Sequence, residues 1–221
     1  MGETVRALDL PRGSVALDAG SSTATYRRAT QPHLERNVLG PLTARGIEIR
    51  SLDMRAAPGV DYVYDLTAPT FDWSTTIGRR FDLVLFNNVL VHFADPHAGA
   101  ASVASLVAPG GWLLASTPSV YRRVRDPLDN GMRPEPHDLE RMLTEAGGPA
   151  RFHLVERGEI RIDDRSYYRR SPLAPSWFLI ARRWMPVPGI VEQFRYLVPR
   201  MRWRVSCVLL RRAAERPETQ T

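Results

Sequence analysis

The sequence predicts an α/β fold built on a doubly wound, mostly parallel sheet, and three observations carry that prediction. Val15–Ala24 reads as a short buried strand that stops on Asp18, bends at Gly20 and feeds a helix. Gly lets backbone approach a ligand, and such strand–turn–helix units open nucleotide-binding domains. Phe81–Phe86 is a nearly continuous apolar run, the pattern of a central strand covered on both faces. Finally, strand-like and helix-like segments alternate through the first two-thirds of the chain, which favours parallel strands joined by crossover helices.

Taken in order, Tyr26 to Arg45 reads as helix in two pieces, with Pro32 and Pro41 as the interruptions. Ile47–Leu52 alternates apolar and polar residues and closes on Asp53, a second strand. The Pro58-Gly59 turn leads to a third short strand, Asp61–Asp65, and Phe71 to Arg79 is a short helix. After the fourth strand at Phe81–Phe86, Pro96 to Val107 makes a helix, Pro109-Gly110-Gly111 a turn and Trp112–Ser116 a fifth strand. Pro136 to Ala146 is an amphipathic helix stopped by Gly147-Gly148. Phe152–Ile162 and Arg204–Leu210 supply the sixth and seventh strands, and the tail from Arg216 to Thr221 is expected to be disordered.

At 221 residues and 43% hydrophobic content, the chain fits a single globular domain. The N-terminus lacks the apolar segment of a signal peptide, and no apolar stretch reaches the roughly 18 residues of a spanning helix. A single cysteine, Cys207, sits in the apolar run Val205–Leu210. It reads as a core thiol in a reducing compartment, so a cytoplasmic location is expected. All 30 basic residues are Arg. Residues 1–150 carry 15 Arg against 17 acids, net −2, and residues 151–221 carry 15 Arg against 7 acids, net +8. A charge excess confined to the last third does not indicate a nucleic-acid-coating surface.

Three successive strands end on carboxylates: Asp18, Asp53 and Asp65. Ligands of open α/β sheets bind beyond the carboxyl ends of the strands. There an acid after the second strand can take both ribose hydroxyls, and one after the third can accept from an adenine amino group. Asp18 can hold a positively charged ligand group. Each Asp alone also serves as a turn or cap residue; three in register beside Gly20 favour an adenosine-type ligand. A dinucleotide fits less well. Gly20 and Asp53 lie 33 residues apart, more than the roughly 20 of that fingerprint, and acids near the first turn suit a pyrophosphate poorly.

The motifs Ala16–Gly20, Ser51–Asp53, Asp65–Thr67, Phe81–Pro96 and Leu106–Pro118 occur in order and at characteristic spacing. Together they resemble class I S-adenosylmethionine-dependent methyltransferases. The resemblance implies a seven-stranded Rossmann-like sheet whose last strand is antiparallel, with S-adenosylmethionine as cofactor. By the same carry-over, Asp18 and Gly20 flank the methionine part, and Ser22 offers a hydroxyl to its carboxylate. Asp53, with Met54 next to it, takes the ribose, Asp65 and Leu66 meet the adenine, and Asn87 lies near the sulfonium. The departure is in the first motif, where Ser22 and Ala24 stand in place of two further glycines.

Methyl transfer is an in-line displacement, and an oxygen acceptor usually also needs a base. His92, after the fourth strand, is the candidate base, with a loop-capping role as the plainer reading. Asn88 is placed to orient an acceptor hydroxyl, and Asp126, Asp129 and Asn130 to hydrogen-bond a polyhydroxylated substrate. A weaker resemblance links this stretch to enzymes of sugar and glycan pathways. No metal site is expected, because Pro96 separates Asp95 from His97. Residues 163–203 interleave aromatics with Arg, which suits a peripheral membrane surface, a bulky anionic substrate or a protein partner. A packed insertion with its own small core is an equal alternative. The expected function is methylation of a small-molecule hydroxyl on a sugar, glycan intermediate or secondary metabolite. A non-catalytic scaffold and an NAD(P)-dependent reductase are the alternatives.

Overall fold

A computed structural model describes residues 1–29, 31–68, 71–121, 129–148, 151–163 and 202–214. Most of the aromatic and basic stretch 163–203, and the tail 216–221, lie outside the described residues. The strands are β1 (Val15–Ala19), β2 (Glu48–Asp53), β3 (Tyr62–Val63), β4 (Phe81–Asn87), β5 (Val107–Val120), β6 (Phe152–Asp163) and β7 (Arg202–Arg212). They form one sheet in the order β3-β2-β1-β4-β5-β7-β6. β1 pairs in parallel with β2 and β4, β2 with β3, and β4 with β5. β7 runs antiparallel between β5 and β6, the one reversed strand in the order and the one expected.

Burial follows the period of two along each strand. Val15, Leu17 and Ala19 of β1, Val84 and Phe86 of β4, Leu113 and Ala115 of β5, and Val208 and Leu210 of β7 face one side. There they meet Ala100, Val103 and Ala104 of α6 (Pro96–Ser105) and Leu139, Met142 and Leu143 of α7 (Pro136–Ala146). The opposite set, including Ala16, Leu83, Leu85, Trp112, Leu114 and Leu209, packs on Val5 of α1 (Gly2–Ala7) and on Leu42 of α4 (Gly40–Ala44). Helices therefore cover both faces of the central strands, which is why β4 is almost unbroken apolar sequence. Arg45 fixes α1 to this layer by donating to the carbonyls of Val5, Leu8 and Leu10.

Several expected boundaries shift. The helix after the first turn does break before Pro32, into α2 (Ala24–Ala29) and α3 (Pro32–Leu34). Pro41 causes no break. A π-helical turn, Glu35–Leu39, carries α3 into α4, and Pro41 lies in the first turn of α4. The π turn before it, in which the Gly40 amide reaches back to the Glu35 carbonyl, is a wider winding that lets the helix pass through a residue with no N–H to donate. β3 has two residues rather than five. Asp61 spends its carboxylate on the Ser51 amide of β2, so it serves as a clamp beside β3 rather than as part of it. The helix expected at Phe71–Arg79 shrinks to α5 (Trp73–Thr76), with Asp72 as its N-cap.

Leu85 is fully buried at the middle of the sheet. Leu85→Ala is expected to lower stability by about 3 kcal/mol through lost burial and the cavity left behind. Urea unfolding should show a lower midpoint with an unchanged slope; an unchanged midpoint would contradict this two-faced core.

Candidate active site

β1 is the middle of the parallel part of the sheet, and its residue Asp18 pairs with Ser51 on one side and Leu85 on the other. That position buries the carboxyl to 3% exposure. Its Oδ2 is enclosed and has no hydrogen-bond partner. Burial, reinforced by Asp53 and Glu35 and opposed by Arg27, pushes the Asp18 carboxyl up to about 6. An enclosed carboxylate oxygen with nothing to accept from is a receptor for a cationic or N–H-bearing ligand group.

Beyond Asp18 the chain turns at Gly20, whose φ is +76°. A Cβ there would fall 2.4 Å from a methyl of Val89 in the loop after β4, so only glycine allows the two loops to meet. The amides of this turn are already engaged. Gly20 and Ser21 both donate to the Leu52 carbonyl, and Ser22 donates to Asp53 Oδ2 at 2.8 Å. Ala24 donates to the Pro58 carbonyl. A pyrophosphate needs free N–H groups at this place, so the geometry argues against a dinucleotide.

At the end of β4, Asn87 Oδ1 accepts from the Ser116 hydroxyl of β5 at 3.2 Å, while its Nδ2 is buried without a partner. One orphaned acceptor and one orphaned donor thus sit at the carboxyl ends of neighbouring parallel strands. A methyltransferase-domain family model matches residues 5–154, about two-thirds of the chain.

The chain belongs to the class I S-adenosylmethionine-dependent methyltransferases.

Solved structures agree on the fold. SpnF, described as a [4+2]-cyclase, superposes with a TM-score of 0.58 at 15% identity, covering 97% of this chain and 80% of that one. Phosphoethanolamine N-methyltransferase 2 of Haemonchus contortus, bound to phosphomonomethylethanolamine and S-adenosylhomocysteine, gives 0.55 at 12% identity, covering 97% of this chain and 52% of that one. This chain therefore spans about half the length of the nematode enzyme. The YcgJ protein of Bacillus subtilis gives 0.53 at 12% identity, covering 97% and 98%. At such identities the likeness is one of fold. No curated protein sequence matches.

The residues present fit the family's cofactor. Asp18 has an unpaired acceptor oxygen suited to an ammonium, and the Gly20 turn beside it lets Val89 close against the backbone. The Asp53 carboxylate holds the Ser22 and Arg55 amides, one on each oxygen, which leaves lone pairs on both for hydroxyl donors. Met54 next to it is 60% exposed, and Leu66 is buried at 3%. Asp65 is exposed, and its Oδ1 closes a turn on the Thr67 amide and hydroxyl.

The acceptor-side residues are less convergent. His92 is exposed on a 3₁₀ turn, Leu90–His92, directly after β4. Asn88 is exposed with φ +58°, and its amide donates to the Ser116 carbonyl. Asp129 is 5% exposed and grips Arg133 through both oxygens, at 3.1 and 2.8 Å. Asn130 ties its loop to the one after β4, donating from Nδ2 to the carbonyls of Leu90 and Phe93. Asp129 and Asn130 thus build the loop over this end of the sheet, and Asp126 lies outside the described residues. Cys207 has its thiol pushed up to about 11 by burial, which removes it as a nucleophile. A concavity of about 530 Å³ lined by His97, Met132, Arg133, Asp138, Arg141 and Met142 contains none of the strand-end groups. Three of its charges are already paired, Arg133 with Asp129 and Asp138 with Arg141.

Sequence reasoning missed three participants. Ser116 presents the hydroxyl that orients Asn87, and its strand position alone gave no sign of this. Gly59 lets the loop after β2 approach α2: a Cβ there would fall 2.7 Å from that of Ala24. The closeness expected from glycines in the first motif is supplied from the facing loop. Arg27 is buried at 9% among loop carbonyls, and a helical Arg beside Arg28 carries no signal of that role.

The raised Asp18 carboxyl fixes a sign. The folded state holds this proton more tightly than the unfolded chain, so ionisation destabilises the fold as pH rises from about 4 through 6. Asp18→Asn is expected to gain on the wild type by on the order of 3 kcal/mol between pH 4 and pH 7.5. Urea titrations of both proteins across that range measure it; a constant difference would contradict a proton held by burial.

Proposed function

We propose that this protein transfers the methyl group of S-adenosylmethionine to a hydroxyl oxygen of a small polar acceptor such as a sugar, a glycan intermediate or a secondary metabolite. The observation that carries the reading is the pair of orphaned polar groups, Asp18 Oδ2 and Asn87 Nδ2, at the ends of adjacent parallel strands. S-adenosylmethionine supplies an electrophilic methyl on a sulfonium when bound. The chain's own residues do the rest. Asp18 takes the ammonium of the amino-acid part, Asp53 accepts from the ribose hydroxyls, and Leu66 with Met54 flanks the base. Asp65 meets the adenine amino group through the oxygen not used by Thr67, and Ser22 stands beside the carboxylate.

Asn87 is held by Ser116 so that its amide N–H groups point one way, which suits hydrogen bonding at the reacting end. His92, exposed on the turn that follows, takes the proton of the attacking hydroxyl, and Asn88 orients that hydroxyl. Close alignment supplies most of the acceleration in such a displacement, with the base adding about 10²-fold or more. Among the described residues no helix is long and apolar enough to cross a membrane. Contact with a membrane surface or partner protein through 163–203 belongs to this proposal as well.

Calorimetry with S-adenosylhomocysteine is expected to show micromolar binding to the wild type and at least tenfold weaker binding to Asp18→Ala. No binding to the wild type would favour the scaffold reading, and stabilisation by NAD(P) the reductase. With a panel of hydroxylated acceptors, His92→Ala should lower turnover at least tenfold while leaving S-adenosylhomocysteine affinity unchanged. Unchanged turnover would move the base elsewhere.

A further inference from the structure

The first turn of this site carries a cost that its sequence does not remove. Ser22 sits at φ +56°, a left-handed conformation that glycine adopts freely and serine does not. Three hydrogen bonds meet it there, one of them from the neighbouring Ser21 hydroxyl to its carbonyl at 3.1 Å, and two from outside the turn. Its amide donates to Asp53 Oδ2 at 2.8 Å, and its carbonyl accepts from Arg27 Nη1 at 3.1 Å. The same Nη1 donates to the Ser21 carbonyl at 3.1 Å, and Nη2 reaches across to the Gly59 carbonyl at 2.9 Å. One guanidinium therefore ties the loop after β1 to the loop after β2, and those are the loops that carry Gly20 and Asp53.

The surroundings make this arrangement specific to arginine. Arg27 is 9% exposed, and its three carbonyl partners lie in two different loops. A planar fork with several donors can span them at once, whereas an ammonium is a point charge on a flexible stem. Gly59 admits the guanidinium as well as Ala24: a Cβ at Gly59 would lie 3.2 Å from Arg27 Nη2. The buried cation interacts electrostatically with the Asp18 carboxylate, which offsets part of the cost of burying its charge.

We infer that Arg27 is a positioning residue that replaces the missing glycines of the first motif, holding Ser22 left-handed and the two loops in register for the cofactor. The inference rests on the cofactor site described above. It makes a relation between two residues that a general contribution to stability would not make. If Arg27 acts by holding Ser22, a glycine at position 22 lowers the need for it.

A double-mutant cycle with Arg27→Met and Ser22→Gly tests this, read by S-adenosylhomocysteine affinity and by hydrogen exchange of the 20–23 amides in the ligand-free protein. Arg27→Met is expected to weaken affinity at least tenfold and to speed exchange across the turn. Ser22→Gly alone also removes the hydroxyl placed beside the cofactor's carboxylate, so its affinity is the reference for the second half of the cycle. In that background Arg27→Met should cost at least threefold less than it does in the wild type. Equal affinity of Arg27→Met and wild type would overturn the inference, as would a loss that Ser22→Gly leaves untouched. Should Arg27→Met fail to fold, Arg27→Lys keeps charge and length but cannot bridge both loops. It should then weaken affinity at least threefold with rescue by Ser22→Gly, and wild-type affinity in Arg27→Lys would overturn the inference. A wild type that binds no S-adenosylhomocysteine would instead remove the underlying cofactor reading, a result distinct from all of these.

Discussion

A carboxyl group enclosed between two parallel strands is the constraint on which this site turns. Asp18 lies at 3% exposure beside Ser51 and Leu85, and an ionised oxygen without a partner is expensive in that setting. The sheet tolerates it because β1 is locked by its neighbours. The β1 start is pinned by the Asp82 carboxylate on the Val15 amide, and its end by Gly20 and Ser21 on the Leu52 carbonyl. Under the proposed function, a ligand group carrying a positive charge would offset that cost on binding. Sites of this kind shift ionisation and bind cations for the same reason.

The loops that frame Asp18 reach their geometry by an unusual division of labour. Gly20 alone provides the close approach to Val89, and Gly59 provides it from the facing loop against Ala24. Asp53 and Arg27 then fasten the two loops together through backbone groups. The price is conformational, at Ser22, and it is offset by charge-assisted hydrogen bonds on either side of that residue. A glycine-rich turn would be looser and would need fewer fasteners. In this turn the Gly20, Ser21 and Ser22 amides are occupied, which separates it from phosphate-cradling loops built on the same topology.

Much of this was legible in the residues. The period-two and continuous apolar patterns place β1, β2, β4 and β7 because burial on one or both faces dictates them directly. Asp18 and Gly20 were readable because a strand ending in an acid and a glycine has few other uses. Pro41 reads as a break, since a proline looks the same in sequence whether a helix stops at it or passes through it on a π-helical turn. Asp129 and Asn130 read as polar substrate ligands; in the fold Asp129 pairs with Arg133 of its own loop, and Asn130 holds the carbonyls of Leu90 and Phe93 after β4. Local spacing does not say which partner a loop carboxylate meets. Arg27 was invisible for the same reason: its three acceptors come from sequence positions 5, 6 and 32 residues away.

The most direct measurement is a ¹³C carboxyl NMR titration of Asp18, assigned by loss of its signal in Asp18→Asn, with and without saturating S-adenosylhomocysteine. The account requires a midpoint near 6 in the free protein and a clear downward shift when the ligand's ammonium occupies the unpaired oxygen. An ordinary carboxyl midpoint in the free protein, or one that ligand leaves unmoved, would contradict it.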